Sequence, residues 1–397
     1  MQQRKEAMFK SMKSWFTRTT PTAKRSFRPM VEGLESRLLL TVSAMIPIGT
    51  RDLVITGDAQ ANTVQILQND NNNEITVIGD GQTRSFQSNQ IDNIKVNLGA
   101  RNDTVDYRLV GNSDLDYAKN VSIDLGNGQN TTTIDLSNND NAYINAPVTI
   151  NITSEGANGQ ANFTSTKTQY FSAPNDTVNI NIGDMDADVT INANLGIGND
   201  NVTVNLDGYV NPGVKLTVDL DSNSAPTRIV LGSRILPTQN LDGNDTFTVN
   251  LSDNDDAVDG DISVTMNGGL GNDILSVNQE GPLNGTMNVT MDGGDGRDTL
   301  ALTQFGDLNG NMNVTMNGGA GVDTFRLTKT EELNGTMDVD MLGGTQNDQF
   351  FLNINLDDSS SGSLLLYLRG EGGFGDSMQE NITGTGDLDY FFRDFQM

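Results

Sequence analysis

Cysteine and histidine are both absent from this 397-residue chain, and it has a single tryptophan. Without cysteine there are no disulfides. Without either residue there is no Cys/His zinc site, no thiolate nucleophile and no imidazole base. Long apolar runs are missing too, so no segment is long enough to span a bilayer as a helix. What fills the chain is Gly, Asn, Asp and Thr. That mixture disfavours helices and suits many short strands joined by turns.

Charge is strongly lopsided, with a net value of −28. Residues 1 to 37 carry nine Lys/Arg against three Glu, which leaves 15 basic against 49 acidic residues in the rest. A body of that sign repels nucleic acid and anionic membranes and attracts cations or basic partners.

The basic start runs into "RPMVEGLESRLLLTVSA", where a short, mostly apolar stretch from Leu38 to Ile48 holds small residues. Positive region, short apolar region and small-residue exit together describe an export signal. Within it "LESRLLL" resembles the LEPR-XLL segment near the start of large secreted proteins of planctomycete bacteria. Leu34, Glu35, Arg37, Leu39 and Leu40 match that pattern, Leu38 fills its variable place, and Ser36 stands where the family has Pro. The resemblance implies secretion. Residues 1–45 are therefore expected to be an export segment, and 46–397 a single domain with no dividing linker.

Inside that domain the chain repeats itself. Asp273, Asp298, Asp323 and Asp348 fall at a constant step, and so do Val264, Val289, Val314, Val339 and Met266, Met291, Met316, Met341. Leu275, Leu300, Phe325, Phe350 form another column, and Leu283, Leu308, Leu333 a fifth. A fixed period in this range signals a solenoid. Within one unit Met312, Val314 and Met316 alternate with Asn313 and Thr315, and after a Gly-rich turn Phe325 and Leu327 alternate with polar residues. Period-two alternation predicts strands with one buried face. One unit cannot bury that face alone, whereas stacked parallel rungs bury it continuously. The fold expected is all-β, a three-sided right-handed parallel β-helix (β-solenoid) with rungs of about 25 residues.

Looser copies extend the pattern upstream, at "VNLGARNDTVDY", "IDLGNGQNTTTI" and "ANLGIGNDNVTV". Another splits into "LTVDL" and "GNDTFTVNL", with residues 221 to 242 inserted. "TVQILQ" and "EITVIG" flanking "NDNNN" predict a hairpin at 63–79 that caps the first rung, and the aromatic "DYFFRDFQM" is expected to cover the last. Asn284, Asn309 and Asn334 are placed to hydrogen-bond from rung to rung.

Three turns read GGxGxD: Gly268, Gly269, Gly271 with Asp273; Gly293, Gly294, Gly296 with Asp298; and Gly318, Gly319, Gly321 with Asp323. They resemble the haemolysin-type calcium-binding repeats of RTX proteins, and the resemblance implies Ca²⁺ at these residues. Those repeats run in nine-residue tandem, whereas here the motif occurs once per unit and its fourth copy has Gln346 in place of the third Gly. A physical argument stands beside the resemblance. In-register rungs bring the carboxylates to about 5 Å, where two charges repel by roughly 3 kcal/mol at an effective dielectric near 20. A cation would cancel that, and so would turns in which each Asp bonds backbone amides.

Two functional readings follow. One is a secreted, non-catalytic repeat protein of the cell surface or matrix, structural or adhesive, with calcium and cell-surface or polysaccharide components as partners. The other is a polysaccharide-acting lyase or hydrolase, which needs paired carboxylates or a basic residue beside Ca²⁺. Arg297, Arg326, Arg228 and Arg234 are the basic residues near the turns or the insertion.

Overall fold

The computed structural model describes residues 42–137, 142–154, 175–196, 198–222, 230–231, 234–235, 243–251, 257–370, 375–384 and 387–393. The chain divides into Met1–Leu39 and Leu40–Met397. The export segment as far as residue 41 lies outside the described residues.

Two broad sheets of 13 strands each form the body, almost every neighbouring pair in them parallel. The first runs from Ser43–Met45 to Asp387–Arg393, and the second contains the strand that follows each Gly-rich turn. Together they make a β-solenoid whose typical rung is about 27 residues. No α-helix occurs among the described residues.

The alternation in sequence becomes the alternation of burial. In Asn311–Asn317, Met312, Val314 and Met316 are buried while Asn311, Asn313 and Thr315 are exposed. Pairing joins Val264 to Val289, Val314 and Val339, and Met266 to Met291, Met316 and Met341. The second sheet stacks Leu275, Leu300, Phe325 and Phe350 in the same way. A third, narrow side closes each rung. Among the described residues it is formed by the two-residue strands Tyr143–Ile144 and Asp184–Met185 and a run of single bridges, including Leu283 to Leu308 and Leu308 to Leu333. The three-sided plan therefore holds, with one side much narrower than the other two.

The first rung is capped by antiparallel strands, as expected. Thr63–Asn69 and Glu74–Gly79 form the hairpin, and Gln82–Gln87 adds a further antiparallel strand outside it. In the hairpin's own turn, Asp70 accepts from Gln68 Nε2 at 2.9 Å and from Ser88 Oγ at 2.5 Å, and Tyr107 OH donates to Gln68 Oε1 at 2.6 Å.

Three details refine the sequence reading. Ser43–Met45 is a strand paired antiparallel with Asp52–Thr56, and Val42 and Ala44 are buried. The folded body therefore begins at or before Val42, not after residue 45. Asp387–Arg393, which holds the start of "DYFFRDFQM", pairs parallel with Ser363–Arg369 as the end strand of the first sheet, and residues 394–397 lie outside the described residues. Lastly, three rungs are long, not one. The corner-to-corner step is 41 residues at Asn62–Asp103, 46 at Asn130–Asp176 and 45 at Asp200–Asp245. The first of these contains the cap hairpin. The extra length of the second falls largely on 155–174, outside the described residues, as does most of the 221–242 insertion. Of the insertion the structure describes Val230–Leu231 paired antiparallel with Arg234–Ile235.

Phe325 and Phe350 stack with ring centroids 4.6 Å apart and planes 5° from parallel. Phe325→Ala opens a cavity across that stack, so urea denaturation of the variant should show a loss of about 3–5 kcal/mol.

Candidate functional site

The Gly-rich turns line one corner of the solenoid, between its two broad sheets. Each Asp of the motif is buried beneath its turn: Asp273 is 1 % exposed, and Asp298 and Asp323 are 0 %. One oxygen of every carboxylate is already engaged. Asp298 Oδ1 accepts the backbone N–H of Asp273 at 2.8 Å, Asp323 Oδ1 that of Asp298, and Asp348 Oδ1 that of Asp323, each at 2.8 Å.

The chain of bonds runs well beyond the three intact motifs. Its successive members are Asn62, Asp103, Asn130, Asp176, Asp200, Asp245, Asp273, Asp298, Asp323, Asp348 and Asp376. Each step is an N–H···O bond of 2.7 to 2.9 Å from one backbone amide to the side chain a rung further on. Sequence reasoning missed Asn62, Asp176 and Asp376: no glycine precedes Asp176 in its turn, and "GGFGD" ahead of Asp376 keeps its glycines but falls one residue short of GGxGxD. "APNDTVNI" and "GFGDSM" do keep the acid just ahead of a strand. A shorter outer ladder accompanies it: Asn199, Asn244 and Asn272 each donate a backbone N–H to the Asn Oδ1 of the preceding rung, at 2.8 to 3.0 Å.

The glycines have specific steric tasks. A Cβ on Gly268, Gly293 or Gly318 would stand 2.6, 2.6 or 2.5 Å from Oδ2 of its own motif's Asp. The first glycine is thus the space into which the second carboxylate oxygen packs. The next residue needs left-handed backbone, with φ of +85°, +94° and +92° at Gly269, Gly294 and Gly319. In the fourth turn Gln346, at φ +81°, stands where the third glycine is missing.

Burial without full hydrogen bonding changes the acidity of the ladder. Oδ2 of Asp298, Asp323 and Asp348 accepts no hydrogen bond. Desolvation raises Asp298 and Asp348 to about 7, helped by neighbouring carboxylates, and raises Asp323 and Asp103 to about 6. The bond from the backbone amide opposes this at each but does not win. A neutral carboxyl needs no counter-ion, so stacking these groups does not cost the repulsion of fully ionised acids.

As for a metal, no three carboxylates converge on one point among the described residues. Ca²⁺ requires about six to eight oxygens. At these corners a cation would have to draw on Oδ2 of Asp273, Asp298 or Asp323 and on turn carbonyls. The predicted residues are brought together as one stacked column, not as separate cages.

The other sites named from sequence are placed as follows. Asn309 Nδ2 donates to Asn284 Oδ1 at 2.9 Å and Asn334 Nδ2 to Asn309 Oδ1 at 3.1 Å, which is the amide ladder expected. Arg297 is exposed, and Arg326 lies over the Phe351 ring at 4.6 Å. Arg228 and the side chain of Arg234 lie outside what the structure describes. Unforeseen was a polar column inside the second sheet, where Gln279, Gln304 and Lys329 are all buried in register. Lys329 Nζ donates to the Gly306 carbonyl at 2.9 Å and to that of Thr330, and burial lowers its pKa to about 8. Comparison with protein-family models, curated proteins and solved structures finds no match for the chain.

The ladder sets a sign for the pH dependence of stability. Carboxyls raised in the fold contribute fully below their unfolded value near 3.8, and the contribution is lost as pH rises through about 6 to 7. Melting temperature should fall across that window. The acidic surface pushes in the same direction, so Asp298→Asn isolates the ladder. It keeps the acceptor, as Asn130 does naturally, and should flatten the pH profile. Asp298→Ala strands the Asp273 amide and should cost about 1–3 kcal/mol at any pH.

Proposed function

We propose that the chain is a secreted, non-catalytic structural rod of the cell surface or matrix, with an adhesive exterior. One observation supports this above others: the side-chain-to-backbone ladder runs unbroken from Asn62 to Asp376. It fastens each rung to the next independently of the two sheets. A scaffold with that property resists local opening along its whole length, which is what a load-bearing surface element requires. Export of the chain is inferred from the basic and apolar start of the sequence and from its LEPR-XLL-like segment. The acidic exterior favours solubility and cationic partners over nucleic acid.

Calcium at the intact turns is a second reading, favoured by the Oδ2 atoms of Asp298 and Asp323 that lack a hydrogen bond. The two readings differ in sign. A bound cation keeps the carboxylates ionised, so stability would rise with pH, whereas a protonated ladder loses stability as pH rises. The lyase or hydrolase alternative has less support, since Arg326 is engaged with Phe351.

Melting the full chain at pH 5 and pH 8, with EDTA and with millimolar Ca²⁺, decides between rod and calcium rod. The metal-free ladder should melt higher at pH 5 and ignore EDTA. A melting point raised by Ca²⁺ at pH 8 and lowered by EDTA would establish calcium at the turns. Turnover of a polysaccharide panel, abolished by one carboxylate substitution, would replace the rod with an enzyme.

A further inference from the structure

The narrow third side carries a pattern that neither the ladder nor the glycine corners explain. Its inward residues Leu115, Ile144, Met185 and Val210 are buried and bridged from rung to rung. The residues just before them face outward and read Asp114, Tyr143, Asp184, Tyr209 in consecutive rungs. Tyr143 is opposite Asp184. The backbone N–H of Tyr143 donates to Asp114 Oδ1 at 3.0 Å, and that of Tyr209 to Asp184 Oδ1 at 2.9 Å. Both tyrosines are 47 % exposed, which places them among the few large hydrophobic side chains the described surface leaves open. The next outward column reads Asp116, Asn145, Asp186, Asn211, with Asn145 Nδ2 bonded to Asp116 Oδ1 at 2.9 Å and Asn211 Nδ2 bonded to Asp186 Oδ1.

We propose that this side is a binding strip for an extended, uncharged polysaccharide, with Tyr143 and Tyr209 as stacking plates and the Asp/Asn columns as acceptors for its hydroxyls. The inference takes its setting from the surface-rod reading and names the ligand class of its exterior. Three features carry it. Two strand spacings separate the tyrosines by about 9.5 Å, close to the advance of an extended disaccharide, so alternate sugars meet a ring. Tyrosine offers an apolar plate and a polar tip at little cost in side-chain freedom. Finally, the carboxylates bordering the plates accept hydroxyl hydrogens while repelling sulfated or uronic chains. Side chains on stacked strands hold these groups, so the strip is preorganised and needs no loop closure.

Affinity electrophoresis of the full chain tests the assignment. The gels contain hydroxyethylcellulose, xylan, galactomannan or a β-1,3-glucan, with dextran sulfate and chitosan as charged comparisons. At least one uncharged glycan should retard the wild type, insensitive to added salt. Tyr143→Ala and Tyr209→Ala should each weaken that binding about tenfold, and Tyr143→Phe should retain it. Tyr367→Ala, a substitution of an exposed tyrosine on the first broad sheet, should match the wild type. Melting curves confirm that each variant folds. The assignment is overturned if no uncharged glycan retards the protein, if the tyrosine substitutions on the narrow side leave retardation unchanged, or if only chitosan binds and salt abolishes it. None of those results touches the rod reading, which stands or falls on the pH and calcium melts.

Discussion

Parallel strands stacked in register place nearly every residue opposite its own counterpart one rung away, roughly 4.8 Å distant. Whatever a side chain does, it does next to a copy of itself. Apolar residues gain from this arrangement, because Val on Val and Met on Met make a continuous buried column. Amides gain as well, since each has a donor and an acceptor and can bond along the column, as Asn205, Asn250 and Asn278 do on the outside of the second sheet. Carboxylates are the problem case. At the glycine corners the structure resolves it by turning each acid of the ladder inward, onto a backbone amide of the adjacent rung.

That solution explains the glycines, the acids and the raised acidity together. A buried Asp needs room for two oxygens. One takes the amide, and the other fits only because the first glycine of the turn has no Cβ. With water excluded and one oxygen unbonded, the proton is held far more tightly than usual. The spelling that resembles a calcium-binding repeat therefore also describes a hydrogen-bonded corner. Asn130 occupies the same place in the ladder and bonds the Gly128 carbonyl through its Nδ2, the pattern expected where the position is read as an amide acceptor. Surface chemistry is left to the outward columns, which the interior does not constrain. Only there do tyrosines and solvated carboxylates alternate.

Most of the architecture was legible because a solenoid writes its contacts at a fixed interval. Val314 and Met316 announce the buried face by alternation, and the constant step from Asp273 to Asp348 announces the stacking. The cap hairpin was legible from "NDNNN", where Asn73 adopts the left-handed backbone its turn requires. Less was legible wherever the interval broke. Asp176 follows a long insertion, and its turn has no glycine pair to mark it. The strand Ser43–Met45 pairs antiparallel, outside the repeat, and so read as part of the export segment.

By itself the sequence determined the period, the identity of the inward columns and the place of each sharp turn, since these follow from local alternation and from backbone freedom at glycine. Only the tertiary structure decided which way the motif acids face. An Asp after a glycine turn suits a solvent-side cation site or an inward amide bond equally well in sequence. The choice depends on an amide 25 residues away, which the rung reaches only once the coil has closed. The same holds for the narrow side: Tyr143 and Tyr209 become a pair only when two turns of the solenoid bring them to the same edge.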